Sequence, residues 1–418
     1  ATLIYTSGTT GHPKGVIDTH RSVLWDLHSL RQVVATTDSD RVISYLPLAH
    51  AADRILSHYA SLVSGHTIHF CPDLTQIAAT MVAVRPTFFG AVPRIWEKLH
   101  AGINAGIAHE PDAGKRNLVL GALELARQVL ALEQRGEPVP AELRAKRVAV
   151  EPVFAAIRAK IGLDQAKLFF TGAAPTPKEV LELFFAIGVP ILEVWGMSEL
   201  AAIATINPPE RPKIGSIGVA LPGVDAKVMP DGELVVRGGM VMTGYYKEPG
   251  KTAETIDADG WLATGDVATV DADGYYTIVD RKKELIITAG GKNISPANIE
   301  SMLKFHPLIG QACVIGDNRP YLVALLVLDG QVAPAWAKQR GLAATSIAEL
   351  AAHAAVHEEL ARAVAQVNEH VSRVESIRRW TVIPAEWTPE SEELTPTLKL
   401  KRRVIRDKYA KLIDSLYT

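Results

Sequence analysis

A chain of 418 residues exceeds what one hydrophobic core usually supports, so two or more domains are expected. Its 46 acidic and 44 basic side chains nearly cancel, to a formal charge of -2, which gives no bulk basic character for binding nucleic acid. Cys71 and Cys313 lack any CxxC or Cys/His spacing, and no run reaches ~18 uninterrupted apolar residues, so neither a disulfide framework, a zinc motif nor a membrane span is proposed and a reducing cytosol fits best.

In chain order, the apolar Leu3-Ile4-Tyr5 predicts a strand feeding the loop Tyr5-Thr6-Ser7-Gly8-Thr9-Thr10-Gly11-His12-Pro13-Lys14-Gly15. Glycines there let backbone N–H groups approach an anion closely, the hydroxyls add donors and Lys14 adds a point charge, which together read as a phosphate cradle. The spacing from Gly8 to Lys14 imitates a Walker A loop, but Pro13 and Gly15 stand where that motif needs Gly and Ser or Thr, so a P-loop NTPase is excluded. Helical patterning follows over 22–34 and again over 178–187, alternating with short Val/Ile-rich runs punctuated by glycine and proline, an α/β composition. Between them, 112–161 reads as a helical insertion with Leu118, Leu125, Val129 and Leu132 on helical spacing.

Beyond residue 232 the chain turns to strand and turn: Glu233-Leu234-Val235-Val236-Arg237 reads as a strand, and Asp273-Gly274 as a hairpin turn between strands at 267–270 and 275–278. Five charges in Asp280-Arg281-Lys282-Lys283-Glu284 suit an exposed joint between two bodies, which places the expected boundary between 1–280 and 281–418.

The loop, Glu193-Val194-Trp195-Gly196-Met197-Ser198-Glu199, Trp261-Leu262-Ala263-Thr264-Gly265-Asp266 and Leu394-Thr395-Pro396-Thr397-Leu398-Lys399 occur in an order that resembles the adenylate-forming superfamily, which includes acyl-CoA synthetases, firefly luciferase and peptide-synthetase adenylation domains. The 92–98 segment, the insertion after it, Pro320-Tyr321-Leu322, and Leu398 where most of the family has glycine are similar to its long-chain fatty acid-CoA ligase branch. This resemblance implies an α/β fold with a large multi-layer N-terminal domain, a β subdomain and a small mobile α+β C-terminal domain. It also implies that Thr6, Ser7, Gly8, Thr9, Thr10, Gly11 and Lys14 bind ATP phosphates, with Ala173, Ala174, Glu193, Val194, Trp195, Gly196 and Ser198 around the adenine and phosphates. Asp266 falls at the ribose, Arg281 at the same ribose or its phosphate, and Ile278 among the ATP-binding residues; Glu199, with Thr6, would hold the Mg²⁺ that accompanies ATP.

Lys399 aligns with the lysine that the superfamily brings from its C-terminal domain during adenylation, with Lys401 as the alternative register. His50, in Tyr45-Leu46-Pro47-Leu48-Ala49-His50, corresponds to a histidine beside the carboxylate, although a lone His among apolar residues is often structural. Lys283 falls at the hinge, and Gly290, Gly291 and Lys292 would line a CoA tunnel. His12 and Asp18, unusual beside such a loop, are expected to face solvent.

The implied reaction joins a long-chain fatty acid to CoA through acyl-AMP, with ATP, Mg²⁺ and CoA, in the cytoplasm; peripheral contact with the inner membrane face stays open. Because the superfamily places a large portion before the phosphate loop and the chain opens on Ala1-Thr2-Leu3-Ile4, a chain lacking its N-terminal portion is expected. Two alternatives stand at this point: a fatty acyl-AMP ligase without the CoA step, and a non-catalytic nucleotide-binding fragment.

Overall fold

In the computed structural model, which describes residues 1–6, 13–287, 293–344, 346–388, 390–395 and 399–418, the strand Thr2–Thr6 pairs antiparallel with Lys14–Asp18, so that Thr6 stands opposite Lys14. The described residues group into two units. One holds Ala1–Thr6, Lys14–Thr264 and Ala268–Ile278; the other holds Pro13, Gly265–Val267 and the described part of Val279–Thr418.

In the first unit, Thr19 caps the helix His20–Val33 through a reciprocal capping box with Ser22, which moves the helix start ahead of the expected residue 22. The helix buries Val23, Asp26 and Leu27. The main sheet runs in the order Phe88–Ala91, Leu168–Thr171, Ile191–Trp195, Thr205–Ile206, Val219–Ala220. Its first three strands are parallel and the remaining pairs antiparallel. Parallel neighbours need a crossover. Between the first two strands it is supplied by four helices, Pro93–Ala108, Ala113–Gln134, Ala141–Ala149 and Glu151–Lys160, and between the next two by Lys178–Ala186.

Trp96 anchors the core beneath these helices, fully buried and edge-on to Phe89 and Phe184 at ring separations of 5.3 and 5.0 Å. On Ala113–Gln134 the buried stripe is Ala122, Leu123, Ala126, Val129 and Leu130, whereas Leu118 is 57% exposed. The expected face is therefore rotated: two alanines pack where a pattern of large residues shows nothing, and the heptad-spaced Leu118, Leu125 and Leu132 drift off the seam.

A four-stranded sheet follows, ordered Asp225–Val228, Glu233–Arg237, Leu262–Val270, Tyr276–Arg281. Gly274 takes φ 83° at the turn joining the last two, the positive φ that a tight hairpin needs.

The second unit is built on a three-stranded sheet in which Leu322–Leu328 lies between antiparallel Ile309–Ile315 and parallel Ile377–Ile383. The central strand is buried at every residue, as its unbroken Leu-Val-Ala-Leu-Leu-Val-Leu run requires of a strand covered on both faces. Helices Pro296–Lys304 and Ala354–His370 contribute Ile299, Leu303, Leu360 and Val364 to one side of that core. The architecture is the expected α/β arrangement, a large unit with a β subdomain and a smaller α+β unit. No helix among the described residues is long and apolar enough to cross a membrane.

Asp18 corrects one expectation. Rather than facing solvent it is fully buried at the end of its strand, neither carboxylate oxygen has a hydrogen-bond partner among the described residues, and burial, with the nearby Glu199 charge, pushes its pKa up to about 7. The outward expectation followed from charge alone; the strand's alternation turns this side chain inward. His12 lies outside the described residues.

Candidate active site

The strand Lys14–Asp18 is flanked on its second edge by residues 243–246: Tyr246 N–H donates to the Gly15 carbonyl at 2.7 Å and Ile17 N–H to the Gly244 carbonyl at 3.0 Å. This seats Tyr245 between two of the expected site residues. Its ring centre lies 4.4 Å from the Lys14 ammonium, and its hydroxyl donates a 2.8 Å hydrogen bond to Glu199 Oε1. The Met242 N–H donates to the Glu199 carbonyl at 2.9 Å, so the same segment braces both backbone and side chain of the acid. Thr6 caps the facing strand, its hydroxyl 3.5 Å from the Lys14 carbonyl. Ser7, Gly8, Thr9, Thr10 and Gly11 lie outside the described residues.

Glu199 sits in a single 3₁₀ turn, Ser198–Leu200, directly after the strand Ile191–Trp195, and is 8% exposed. The strand end is where open α/β sheets present ligand-binding groups. Only glycine fits at 196, because a Cβ there would lie 1.8 Å from the Ala202 carbonyl oxygen. Trp195 is 8% exposed and packs its indole into the first unit's core, and Val194 is half-buried. Half-buried Glu193 accepts the Gly215 N–H at 2.7 Å, and burial pushes its carboxyl up to about 8, so near neutrality it keeps a proton to donate. One strand over, Ala173 holds φ 71°, a left-handed conformation that costs a non-glycine residue about 1–3 kcal/mol and gathers at functional sites. Ala174 continues that turn, and the Thr171 and Thr176 hydroxyls close it at 2.8 Å.

His50 is half-buried and its Nδ1 accepts the Ala52 N–H at 3.2 Å, which in the neutral ring leaves the proton on Nε2. An apolar cleft of about 960 Å³, its open mouth included, lies in the same unit, walled by Leu27, Leu30, Tyr45, Leu56, Phe170 and Val194.

In the second unit, Arg281 and Asp266 come together: Arg281 Nε lies 2.6 Å from Asp266 Oδ1, with the carboxylate side chain 5% exposed and the guanidinium 46% exposed. Ile278, on the same strand as Arg281 but grouped with the first unit, is half-buried. Lys283 is exposed in the turn after that strand. Lys399 is exposed at the end of a narrow hairpin, where Thr395 N–H donates to the Lys399 carbonyl at 2.8 Å and Lys399 N–H to the Thr395 hydroxyl at 3.0 Å. Gly290, Gly291 and Lys292 lie outside the described residues.

The donor set around Glu199 fits a hard divalent cation that brings phosphate oxygens and water with it. Glu199 offers a buried carboxylate, with buried Asp18 near enough to feel its charge, and among the described residues no cluster of three or more His, Cys, Asp or Glu could hold a metal by itself. Tyr245 is the residue that motif reading passes over, since a Gly-Tyr-Tyr run signals only a turn beside a core aromatic.

The model of the AMP-binding enzyme family matches residues 1–246, and that of the AMP-binding enzyme C-terminal domain matches residues 283–418. A Mycobacterium tuberculosis protein named as a fatty-acid-CoA ligase, fadD11, is 47% identical over 418 residues, covering 100% of this chain and 73% of that protein. The long-chain-fatty-acid-CoA ligase FadD15 of Mycobacterium bovis is 37% identical over 422 residues, covering 100% of this chain and 69% of its own length. In fold, the adenylation domain of a Mycobacterium chelonae carboxylate reductase superposes with a TM-score of 0.72 at 22% identity, covering 99% of this chain and 59% of that one. The chain thus belongs to the AMP-binding enzymes, the adenylate-forming family of the fatty-acid-CoA ligases.

Proposed function

We propose that the chain works as an AMP-forming long-chain fatty acid-CoA ligase, a reading carried by the contacts of the Tyr245 side chain with both Lys14 and Glu199. A cation lies over the face of an aromatic ring whose hydroxyl donates to a hard carboxylate. In the first step a carboxylate oxygen attacks the α-phosphorus of ATP, the bond to the β-phosphate breaks and pyrophosphate leaves. In the second the CoA sulfur attacks the acyl carbonyl carbon and AMP leaves.

Both reactants of the first step are anions, so the chain's task is to neutralise and align them. Lys14 and the loop hold the phosphates, Asp266 accepts hydrogen bonds from the ribose hydroxyls, and Lys399 supplies positive charge where negative charge builds up in the transition state. Glu199 and Thr6 would hold Mg²⁺, which supplies charge neutralisation on the phosphates. The long-chain preference is supported by the names of the relatives and by the apolar cleft, whose wall includes Val194 from the strand that carries Trp195. Exposed Lys283, in the charged turn just past the expected boundary at 280/281, is the proposed pivot that exchanges the two half-reactions.

The test measures pyrophosphate release driven by fatty acids of increasing length, with and without CoA. Release in both conditions, with acyl-CoA formed only when CoA is present, is expected. Release with no acyl-CoA would make the enzyme an acyl-AMP ligase, and no release would leave only nucleotide binding.

A further inference from the structure

Arg402 opens the helix Arg402–Lys408 three residues after Lys399, yet it is 8% exposed and its guanidinium is fully engaged. Nη1 and Nη2 each donate to Glu300 at 2.7 Å, a bidentate pair, while Nε donates to Glu284 at 3.2 Å. Glu300 lies on the helix Pro296–Lys304 and also accepts the Val314 N–H at 2.7 Å, so it is locked to the central fold of the second unit.

Glu300 alone satisfies the charge of a buried arginine; a second acid is not needed for that purpose. Glu284 is the residue next to Lys283, and it is held in a tight turn in which its N–H and that of Leu285 donate to the Arg281 carbonyl at 2.9 and 3.0 Å. At the other end, Lys401 N–H donates to the Glu393 carbonyl at 2.8 Å, and buried Glu393 is fastened by Lys408 and the Tyr409 hydroxyl at 2.7 and 2.8 Å. The proposed pivot directly precedes one side of the ion pair, and on the other side only Leu400 and Lys401, on the returning arm of the pinned hairpin, lie between Lys399 and Arg402.

We infer that Glu284 and Arg402 are positioning residues: their ion pair ties the hairpin that presents Lys399 to the turn that carries the pivot, so that Lys399 arrives in register when the pivot turns. The inference rests on the ligase reading for the role of Lys399. Arg402→Ala leaves two acids uncompensated in a buried site and is expected to unfold the second unit. Glu284→Gln keeps the Glu300 pair and nearly the same shape.

The experiment follows this variant in the full chain by two readouts. Hydrogen exchange at the Thr395, Lys399 and Lys401 amides should quicken about tenfold while the strand Leu322–Leu328 keeps its protection. The kcat for acyl-AMP formation should fall about 10- to 100-fold with KM for ATP little changed, as expected of a catalytic group misplaced by about 1 Å, while thioester formation from preformed acyl-AMP is retained. Unchanged hairpin exchange, or an equal loss in both half-reactions, overturns the inference. If the parent chain forms no acyl-AMP, the ligase reading falls, and the exchange at the hairpin still decides whether Glu284 holds it.

Discussion

The Tyr245 hydroxyl donates its hydrogen bond to the Glu199 carboxylate at 2.8 Å while the face of the same ring lies 4.4 Å from the Lys14 ammonium. One side chain thus orients the acid expected at the cation and the lysine expected at the phosphates. Tyr245→Phe keeps the ring and removes the hydroxyl, losing a hydrogen bond to a charged group worth about 1.5–3 kcal/mol. KM for MgATP should rise about 10-fold or more. Glu199→Gln should shift the Mg²⁺ titration itself to higher concentration. Superimposable titrations for parent and Glu199→Gln would remove Glu199 from the metal site.

Lys399→Ala should suppress acyl-AMP formation far more than thioester formation from preformed acyl-AMP, because the charge it neutralises exists only in the first transition state. Removing one such cation costs on the order of 3 kcal/mol, or about 100-fold in rate. The two half-reactions are assayed separately, and an equal drop in both counts against the assignment.

What the sequence makes legible is local. The strand Glu233–Arg237 and the turn at Gly274 follow from a short apolar run and from the positive φ that glycine supplies, and the structure has them there. The segments 193–199 and 261–266 are motifs read within a few residues. Tyr245 was not legible, since its meaning depends on a bridge between Val16 and Tyr245 that brings distant segments side by side. The rotated face of Ala113–Gln134 was missed because alanine carries little weight in an apolar pattern yet packs tightly. Arg402 reads as one more charge in a basic run, and only packing reveals it as a buried arginine shared by two acids.

Replacing Lys283 by proline should leave adenylation largely intact and abolish thioester formation. The residue is exposed in a turn, so a fixed φ removes torsional freedom without opening a core. Stopped-flow traces of acyl-AMP build-up, followed by addition of CoA, separate the two steps. Equal rates in parent and variant for both would place the pivot elsewhere.

Stability should depend on pH through Asp18. Burial holds its carboxyl up to about 7 in the folded chain against 3.8 as the ordinary value. Between those values the folded state keeps a proton that the unfolded state has released, so unfolding releases a proton and stability falls as pH rises. The loss begins near the lower value and is complete above the upper one, amounting to ~4 kcal/mol at most. Asp26, also fully buried with its carboxyl pushed up by burial, acts in the same direction. Asp18→Asn cannot ionise and keeps the shape, so it should flatten the profile between about pH 4 and 7 and raise stability relative to the parent most at pH 8. Urea unfolding midpoints at pH 5, 6.5 and 8 measure the difference. Parallel profiles for parent and Asp18→Asn would mean that the buried carboxyl is ionised throughout and neutralised by a partner.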